Sequence, residues 1–425
     1  MRLLKAFISI IIVLCYATNV FAANAKVEVE ITNPTKLLLD NQPVVIPLNQ
    51  LCMFKATKAI VTIDGKEIPS QIDFLTGTAE GGELCFLVNL AKKQKITASI
   101  LLSDEEKQNT YEPQVYTEMM LANKKIKETN KQDLYISSLT VENGVNPYWQ
   151  LHHHGAAFEN NLVAYRIYFD HRQTIDIYGK YNKGMEIKAT QWYPDAEQLA
   201  AGSGDDVLWV GNTLGLGTFR GWDGKAPTML SDVEHRTQKI LARGPLRTVV
   251  EVTDEGWTPN KRESPVNAHL IYTLYANHRD CQIDVRFNQA TADRRFSTGI
   301  INVKDSKEFT DNEGLRGCWG TDWPVSAKDS VGHKRETVGL GICLNKKNIV
   351  SEEPANKDNY AFVVAPGEDN ELFTPSAMTY HITYTSDNES FGYHTDKDWF
   401  NHLKEWKKTL QARKEVTIKV TPLSR

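Results

Sequence analysis

The stretch LVAYRIYFD at residues 162–170, followed by TIDIYGKY at 174–181, is typical of two β-strands joined by a tight turn. Apolar side chains occupy the odd positions of the first strand, and Ile175 and Ile177 repeat that pattern in the second. Because successive side chains of a strand point to opposite faces, each strand has one apolar and one polar face. The pattern predicts an antiparallel hairpin that covers a core.

The register of this hairpin follows from the need to keep its apolar side chains on one face. A two-residue turn would place Ile167 opposite Asp176 and mix the two faces. A three-residue turn at 171–173 instead places Ile167 opposite Ile177, and the buried face stays apolar. The predicted polar face then carries Arg166, Tyr168, Asp176, Tyr178 and Lys180.

The same alternation recurs along most of the chain and predicts a mostly β protein. Strands predicted at 27–31, 59–63, 84–90 and 96–102, with an Asp64-Gly65 turn, form a small N-terminal β-sandwich at 23–103. A polar linker follows at 104–133, with a short helix at 116–126. Residues 134–425 form a large β-sandwich with a C-terminal helix near 396–413, where apolar residues recur at three- and four-residue steps.

The first 22 residues have the layout of a cleavable signal peptide. Arg2 and Lys5 precede an apolar run at 6–14, and Ala22 is the small residue before the cleavage site. The run is shorter than the about 20 apolar residues that span a bilayer. A lipoprotein signal through Cys15 is the alternative, disfavoured because the preceding residue is a bulky leucine. The sequence predicts a periplasmic or secreted protein whose mature chain has no integral membrane segment.

Composition excludes several classes of function. The 425 residues contain 49 Lys and Arg against 53 Asp and Glu, without a basic stripe, so nucleic acid is not an expected partner. Five cysteines follow the signal peptide without CxxC spacing, which disfavours zinc and redox chemistry and allows at most two disulfides. No phosphate loop or dinucleotide fingerprint is present, and we expect no cofactor. Nine Trp and sixteen Tyr supply rings that can stack on sugars.

The segment YWQLHHHGAAFE at 148–159 is the densest in reactive side chains. Histidine titrates near neutral pH, so His154 or His153 is a candidate general acid or base, with Glu159 or Asp176 to orient the imidazole. Two alternatives stay open. His152 and His154, on one strand face, would both reach a metal, or the histidines form a solvent-facing cluster without a role.

The polar face of the hairpin is the second candidate. Arg166 and Lys180 would hold the carboxylate of a uronate, and Tyr168 and Tyr178 would stack on a sugar or donate a proton. The alternative is an ordinary solvated sheet surface with cross-strand ion pairs. Two further substrate-binding candidates are Trp222 and Trp323, for which a structural role is the favoured alternative.

Several segments resemble the family known as domain of unknown function 4861: residues 154–159 (HGAAFE), 162–170 and 175–180, together with 40–45 (DNQPVV) and 244–247 (GPLR). The resemblance extends over nearly the whole mature chain and departs at Ala156, where the family pattern has Pro. It implies an exported protein of glycan-degrading gut bacteria and a large β-sandwich similar to galactose mutarotase. That superfamily contains epimerases, lyases and hydrolases that use His with an acidic or Tyr partner, so the reaction stays open.

These features together predict a carbohydrate-active enzyme acting on a uronate-containing oligosaccharide, as a lyase, hydrolase or epimerase, with histidine acid/base catalysis. A non-catalytic glycan-binding or scaffolding protein is the alternative.

Overall fold

The computed structural model describes residues 23–75, 82–105, 110–260, 263–291, 294–368 and 376–422. The predicted signal peptide, with Cys15, lies outside these residues. Within them strands dominate, and every strand pair is antiparallel, as for Asn24–Thr32 with Lys95–Ser103. The protein is therefore mostly β, as the alternating sequence pattern predicts. No helix in the described ranges is long and apolar enough to cross a bilayer.

The strands of the first half are β1 (Asn24–Thr32), β2 (Leu39–Pro47), β3 (Lys58–Ile63), β4 (Lys66–Ile68), β5 (Ser70–Phe74), β6 (Gly82–Leu90), β7 (Lys95–Ser103), β8 (Val115–Glu118), β9 (Met120–Leu121), β10 (Leu134–Tyr135), β11 (Ser138–Glu142), β12 (Gly155–Asn160), β13 (Ala164–Tyr168), β14 (Ile175–Gly179) and β15 (Asp205–Asp206). Those of the second half are β16 (Arg220–Trp222), β17 (Pro227–Thr228), β18 (His235–Arg243), β19 (Arg247–Trp257), β20 (Val266–Tyr275), β21 (Asp280–Phe287), β22 (Phe296–Ile301), β23 (Lys307–Thr310), β24 (Leu315–Asp322), β25 (Glu336–Leu344), β26 (Ile349–Glu352), β27 (Asn359–Val364), β28 (Gly367–Glu368), β29 (Ser376–Ser386) and β30 (Thr417–Pro422). The α-helices are α1 (Ile187–Thr190), α2 (Ala196–Ala200) and α3 (Asp396–Lys414), and 3₁₀ turns occur at Leu48–Gln50, Thr129–Lys131 and Lys346–Asn348.

The N-terminal strands form two sheets around their own apolar core. One sheet has the order β30-β1-β7-β3-β4 and the other β2-β6-β5. Val29, Val61 and Phe86 are among the fully buried residues between them. Asp64 and Gly65 both have positive φ, as a two-residue hairpin turn requires. The last described strand, β30, pairs with β1, so it completes the N-terminal sandwich rather than the large one.

The large sandwich packs one wide sheet against two smaller ones. The ten-stranded sheet has the order β11-β18-β19-β20-β21-β29-β25-β24-β23, with β28 added to β29. The two five-stranded sheets, β15-β14-β13-β12-β8 and β17-β16-β22-β27-β26, contribute to the same core. Ile167 and Ile177 enter this core from the quoted hairpin, as the alternation predicts.

The stretch interpreted as a linker contributes a strand to the large sandwich. Residues Val115–Glu118 pair with β12, and Met120–Leu121 pair with β10. The predicted short helix at 116–126 is therefore wrong. Pairing with β12 supplies hydrogen bonds and packing that outweigh the weak local preference of a polar segment.

The hairpin register differs from the predicted one by two residues. Ile167 lies opposite Ile175, and Arg166 lies opposite Asp176. The connection is longer than three residues because the Asp170 carboxylate accepts hydrogen bonds from the backbone and side chain of Arg172 and organises a wider turn. A two-residue shift keeps every side chain on its face, so the predicted division into an apolar and a polar face holds.

Helix α3 packs its apolar stripe on the ten-stranded sheet, where glycines flatten the surface. Trp399 and Leu403 are fully buried there. A Cβ at Gly339 would lie 2.8 Å from the Trp399 ring, and one at Gly341 would lie 2.4 Å from Leu403 Cδ2. The helix begins after Thr395, whose hydroxyl accepts a hydrogen bond from the Asp398 backbone. Because Gly339 and Gly341 have no side chains, the sheet surface has a groove there in which the helix packs.

The five cysteines of the described chain carry free thiols. Four of them are buried, and burial raises the pKa of the Cys85 thiol to about 12. A thiol with a raised pKa is rarely ionised and is a poor nucleophile. These cysteines act as small apolar side chains in the cores.

Candidate functional site

The polar face of the quoted hairpin is covered rather than open to solvent. All five of its predicted side chains are almost completely buried: Arg166, Tyr168, Asp176, Tyr178 and Lys180. Ile187 and Trp192, from the segment that follows β14, pack over this face against Tyr178. The alternative of an ordinary solvated sheet surface is therefore wrong.

Arg166 lies at the centre of a buried charged cluster. Its Nε and Nη2 donate to Asp176 Oδ2 at 3.0 and 2.7 Å, and Nη2 also donates to Asp206 Oδ2 at 2.8 Å. The Tyr168 hydroxyl donates to the same oxygen of Asp176 at 2.8 Å. The guanidinium carbon lies 4.5 Å from the centre of the Trp192 ring. Arg166 is thus bound to two acidic side chains, Asp176 and Asp206, and does not serve as an open clamp for a substrate.

Asp206 is a member of this cluster that the sequence did not reveal, because it lies in the glycine-rich stretch GSGDD at 202–206, which carries no catalytic or binding motif. Its side chain is 22 % exposed, and its Oδ1 has no hydrogen-bond partner among the described residues. Burial, and then the nearby carboxylate of Asp176, raise the pKa of Asp206 to about 8, against the opposing effect of Arg166. The folded state therefore favours the protonated carboxyl group.

This raised pKa predicts a pH dependence of stability. A carboxyl group whose pKa is higher in the folded chain than its ordinary value of 3.8 stabilises the fold fully at low pH and loses that contribution as the pH rises to about 8. Asp206→Asn removes the ionisation, so we expect it to be more stable than the wild type at pH 8.5 and no more stable at pH 4. Urea unfolding at several pH values measures the difference. The exposed Asp232→Asn is the control, and a pH-independent difference would contradict the prediction.

His153 is a buried structural residue. Its Nε2 lies 3.2 Å from Glu118 Oε1, and both side chains are inaccessible to solvent. The pair joins the segment before β12 to the neighbouring strand β8. His153 therefore does not meet substrate, which corrects its assignment as a candidate acid or base.

His154, in contrast, reaches the surface of the sandwich. Its Nδ1 lies 2.9 Å from the carbonyl oxygen of Tyr148, and its ring stacks on the Tyr148 ring with centres 3.7 Å apart. Because a carbonyl only accepts, Nδ1 carries the proton and Nε2 keeps a lone pair. Burial lowers the pKa of His154 to about 4, so the ring is neutral at pH 7. No described residue hydrogen-bonds to its Nε2.

We name Tyr148, Trp149, His154 and Arg172 the aromatic rim. The Trp149 ring is 78 % exposed and lies edge-on to His154, with centres 5.6 Å apart. The Arg172 guanidinium lies 4.8 Å from the Tyr148 ring centre and pairs with Asp170 at 2.6 Å. Tyr168, 6.0 Å from His154 between ring centres, connects the rim to the Arg166 cluster. The structure thus joins His154, Tyr168, Asp176 and Arg166 in one region.

Three other predicted site residues are engaged inside the protein. Lys180 donates to Glu159 and to the carbonyl of Gly184, and both charged side chains are fully buried. Glu159 also accepts the backbone N–H of Ile187 at 2.7 Å, at the start of α1. The Tyr178 hydroxyl donates to the carbonyl of Gly204 at 2.6 Å. Lys180 as a carboxylate clamp, and Glu159 and Tyr178 as catalytic groups, are therefore corrected to structural roles.

The two tryptophans predicted to bind substrate, Trp222 and Trp323, lie outside the sheet that contains the hairpin. Trp222 ends β16 and is opposite Pro227 in a small sheet. Trp323 follows β24, and its carbonyl accepts from the Trp209 backbone at 3.3 Å. Both are half-buried, and no ring contact between either of them and the aromatic rim occurs among the described residues. The structure does not bring them to the candidate site.

The alternative of a metal site on the histidine run lacks a ligand set. The ring of His152 lies against His153 and Tyr193, and its Nε2 is buried without a partner. Nowhere in the described chain do three or more His, Cys, Asp or Glu side chains converge as a metal site requires.

The fold and the candidate site define a mostly β sandwich protein with a neutral histidine on an exposed aromatic rim. Residues 31–416 match the family described as Domain of unknown function (DUF4861), and the chain belongs to that family. A search of curated proteins finds no match.

Two solved structures from Enterococcus faecalis resemble the chain in fold at low identity. A protein in the glycosyl hydrolase family 38 has 10 % identity and a TM-score of 0.49, with 93 % of this chain and 47 % of that chain covered. An alpha-mannosidase from strain V583 has 10 % identity and a TM-score of 0.45, with 93 % and 46 % covered. The chain therefore spans about half the length of either structure.

Proposed function

We propose that the protein is an exported carbohydrate-active enzyme that binds oligosaccharide on the aromatic rim and uses His154 as a general base. The observation that carries this proposal is the neutral imidazole of His154, whose Nε2 accepts no hydrogen bond from the described residues and lies beside the exposed Trp149 ring. Export belongs to the proposal because it depends on residues 1–22.

The geometry supports the individual roles in turn. The exposed face of Trp149 can stack on a sugar ring, and His154 Nε2 can then accept a proton from the bound sugar. Arg172 is the rim cation that a uronate carboxylate would approach, although Asp170 competes for it. A bound carboxylate beside His154 raises its pKa from about 4 toward neutral pH, where a general base acts best. Asp176 and Arg166 position Tyr168 beneath the rim.

A second candidate function is that of a non-catalytic glycan-binding protein. It is favoured because the charged side chains beneath the rim are hydrogen-bonded to one another. Arg166, Asp176 and Tyr168 are bonded among themselves, so the proton donor that a complete acid/base pair needs has no separate candidate at the rim. In this case the rim binds sugar, and no bond is broken.

The test is a screen of the purified chain against pectic and glucuronate-containing oligosaccharides, read by mass spectrometry. Products that gain one water indicate a hydrolase, an unsaturated product indicates a lyase, and a new isomer of unchanged mass indicates an epimerase. We expect His154→Gln to lower kcat by about 10²–10⁴-fold, because a general base contributes that much.

Trp149→Ala is the matched comparison, since it removes the stacking surface and leaves the base. We expect it to raise KM and to leave kcat within a few-fold of the wild type. Unchanged turnover in a folded His154→Gln protein would overturn the assignment of the base. Calorimetric binding without product would favour the glycan-binding protein.

A further inference from the structure

A cleft of about 650 Å³ lies between the two sandwiches, apart from the aromatic rim. Its walls are β2 of the N-terminal sandwich and the C-terminal end of α3, and its floor is the ten-stranded sheet. Ligand pockets for small molecules have volumes of about 300–1,000 Å³. None of its lining residues belongs to the rim or to the Arg166 cluster. The cleft is therefore a distinct candidate for ligand binding.

The floor of the cleft presents polar side chains on the sheet face opposite the core. Asp280, Gln282 and Asp284 alternate along β21 with buried apolar residues. His381 of the adjacent strand β29 is paired with Gln282 in the sheet register. Asp284 accepts from Gln282 Nε2 at 2.8 Å and from the neighbouring threonine of β29. The floor therefore has hydrogen-bond donors and acceptors at every second position of the strand, which suits a ligand with many hydroxyl groups.

Two buried polar atoms at the walls have no partner in the part of the chain that the structure describes. Gln42 is 6 % exposed, and its Oε1 accepts no hydrogen bond, although its Nε2 donates to the Pro43 carbonyl. Arg413 Nε is likewise unpartnered, although Nη1 lies 2.9 Å from His278 Nδ1. An unsatisfied buried donor or acceptor is costly. Because both atoms are inaccessible to solvent in this conformation, a ligand hydroxyl would donate to Gln42 and accept from Arg413 only after these two lining side chains rotate into the cleft, which would remove both costs.

The charged side chains that line the cleft indicate the charge of the ligand. Three of its cations, Arg286, Lys347 and Lys414, form no ion pair with any described residue. Its two carboxylates, Asp280 and Asp284, are outnumbered by four cations, because Arg413 also lines the cleft. The cleft therefore attracts an anion. On the aromatic rim, by contrast, Arg172 is paired with Asp170.

We propose that this cleft binds a carboxylate-bearing saccharide, with sugar hydroxyls on Gln42 and the β21 floor and the carboxylate on Lys347 and Lys414. The class of ligand rests on the proposed function, whereas the location of charge recognition does not depend on His154. The cleft is thus a charge-recognition site separate from the aromatic rim.

The test uses the full chain and calorimetric titration with trigalacturonic acid at low salt. Its fully methyl-esterified form is the matched ligand without charge. We expect the affinity for the acid to fall as the salt concentration rises. The methyl ester should bind the wild type roughly tenfold more weakly than the acid does, and the Lys347→Ala/Lys414→Ala variant should bind the acid roughly tenfold more weakly than the wild type does. Each change removes two partly exposed ion pairs, which accounts for this magnitude. Gln42→Leu should weaken binding several-fold at every salt concentration. Lys408→Ala, exposed on α3, is the control and should bind as the wild type.

Each result decides the proposal. Equal binding of the acid and its methyl ester, or wild-type affinity in the Lys347→Ala/Lys414→Ala variant, overturns it. Absence of binding both to trigalacturonic acid and to a glucuronate-containing heparosan tetrasaccharide also overturns it. If the lysine variant loses affinity while His154→Gln retains full turnover, the cleft stands and the catalytic proposal fails. If His154→Gln alone loses affinity for the acid, charge is recognised at the rim and the cleft proposal fails.

Discussion

Lys180→Met is expected to destabilise the folded protein by about 3–5 kcal/mol, because removal of one partner from a buried ion pair leaves the other charge without compensation. Lys180 and Glu159 are both fully buried and bonded to each other. Glu159 also accepts the backbone N–H groups of Glu186 and Ile187, which hold the segment that covers the polar face. Urea unfolding followed by circular dichroism measures the change.

The double variant Glu159→Gln/Lys180→Met is the matched control. Gln keeps an oxygen for a backbone N–H and removes the unpaired charge, so much of the lost stability should return. Two results would contradict a structural pair: the loss of unfolding free energy in the double variant equals the sum of the losses in Glu159→Gln and Lys180→Met, or Lys180→Met alone loses less than about 1 kcal/mol. Lys180 would then again be a candidate for binding substrate.

Trp399→Ala is expected to cost about 3–5 kcal/mol, the range measured for removal of large buried aromatic side chains. Its ring is fully buried on the sheet at Gly339, and its Nε1 donates to the Leu340 carbonyl at 3.1 Å. Because Gly339 has no side chain, the strand beneath the ring cannot fill the cavity that the substitution leaves. Circular dichroism in urea is suitable because it does not depend on the deleted fluorophore.

Phe400→Ala is the comparison for this variant. Phe400 is adjacent in the helix and only half-buried, where it stacks on Phe309. Because Phe400 buries less apolar surface on folding than Trp399 does, the loss of unfolding free energy should be clearly smaller than that of Trp399→Ala. Equal losses would show that helix α3 is held by its whole length rather than by the glycine groove.

Part of the candidate site could be predicted from local sequence. His154, Arg166, Tyr168 and Asp176 come together as the quoted motifs suggest. The rest depended on distant chain segments. Asp206 reaches Arg166 from 40 residues away, and Glu118 reaches His153 from 35 residues away. A strand pattern shows which face a side chain takes, but it does not show what covers that face.

Local sequence was sufficient to predict the mostly β class, the apolar and polar faces of the hairpin at residues 162–181, and the amphipathic helix α3. These features follow from periodicity, which depends on the geometry of a single element. Three features became apparent only in the folded chain: the polar face is buried, the hairpin register is shifted by two residues, and strand Thr417–Pro422 joins the N-terminal sheet. Burial and strand pairing depend on contacts between segments far apart in the chain, which no local pattern encodes.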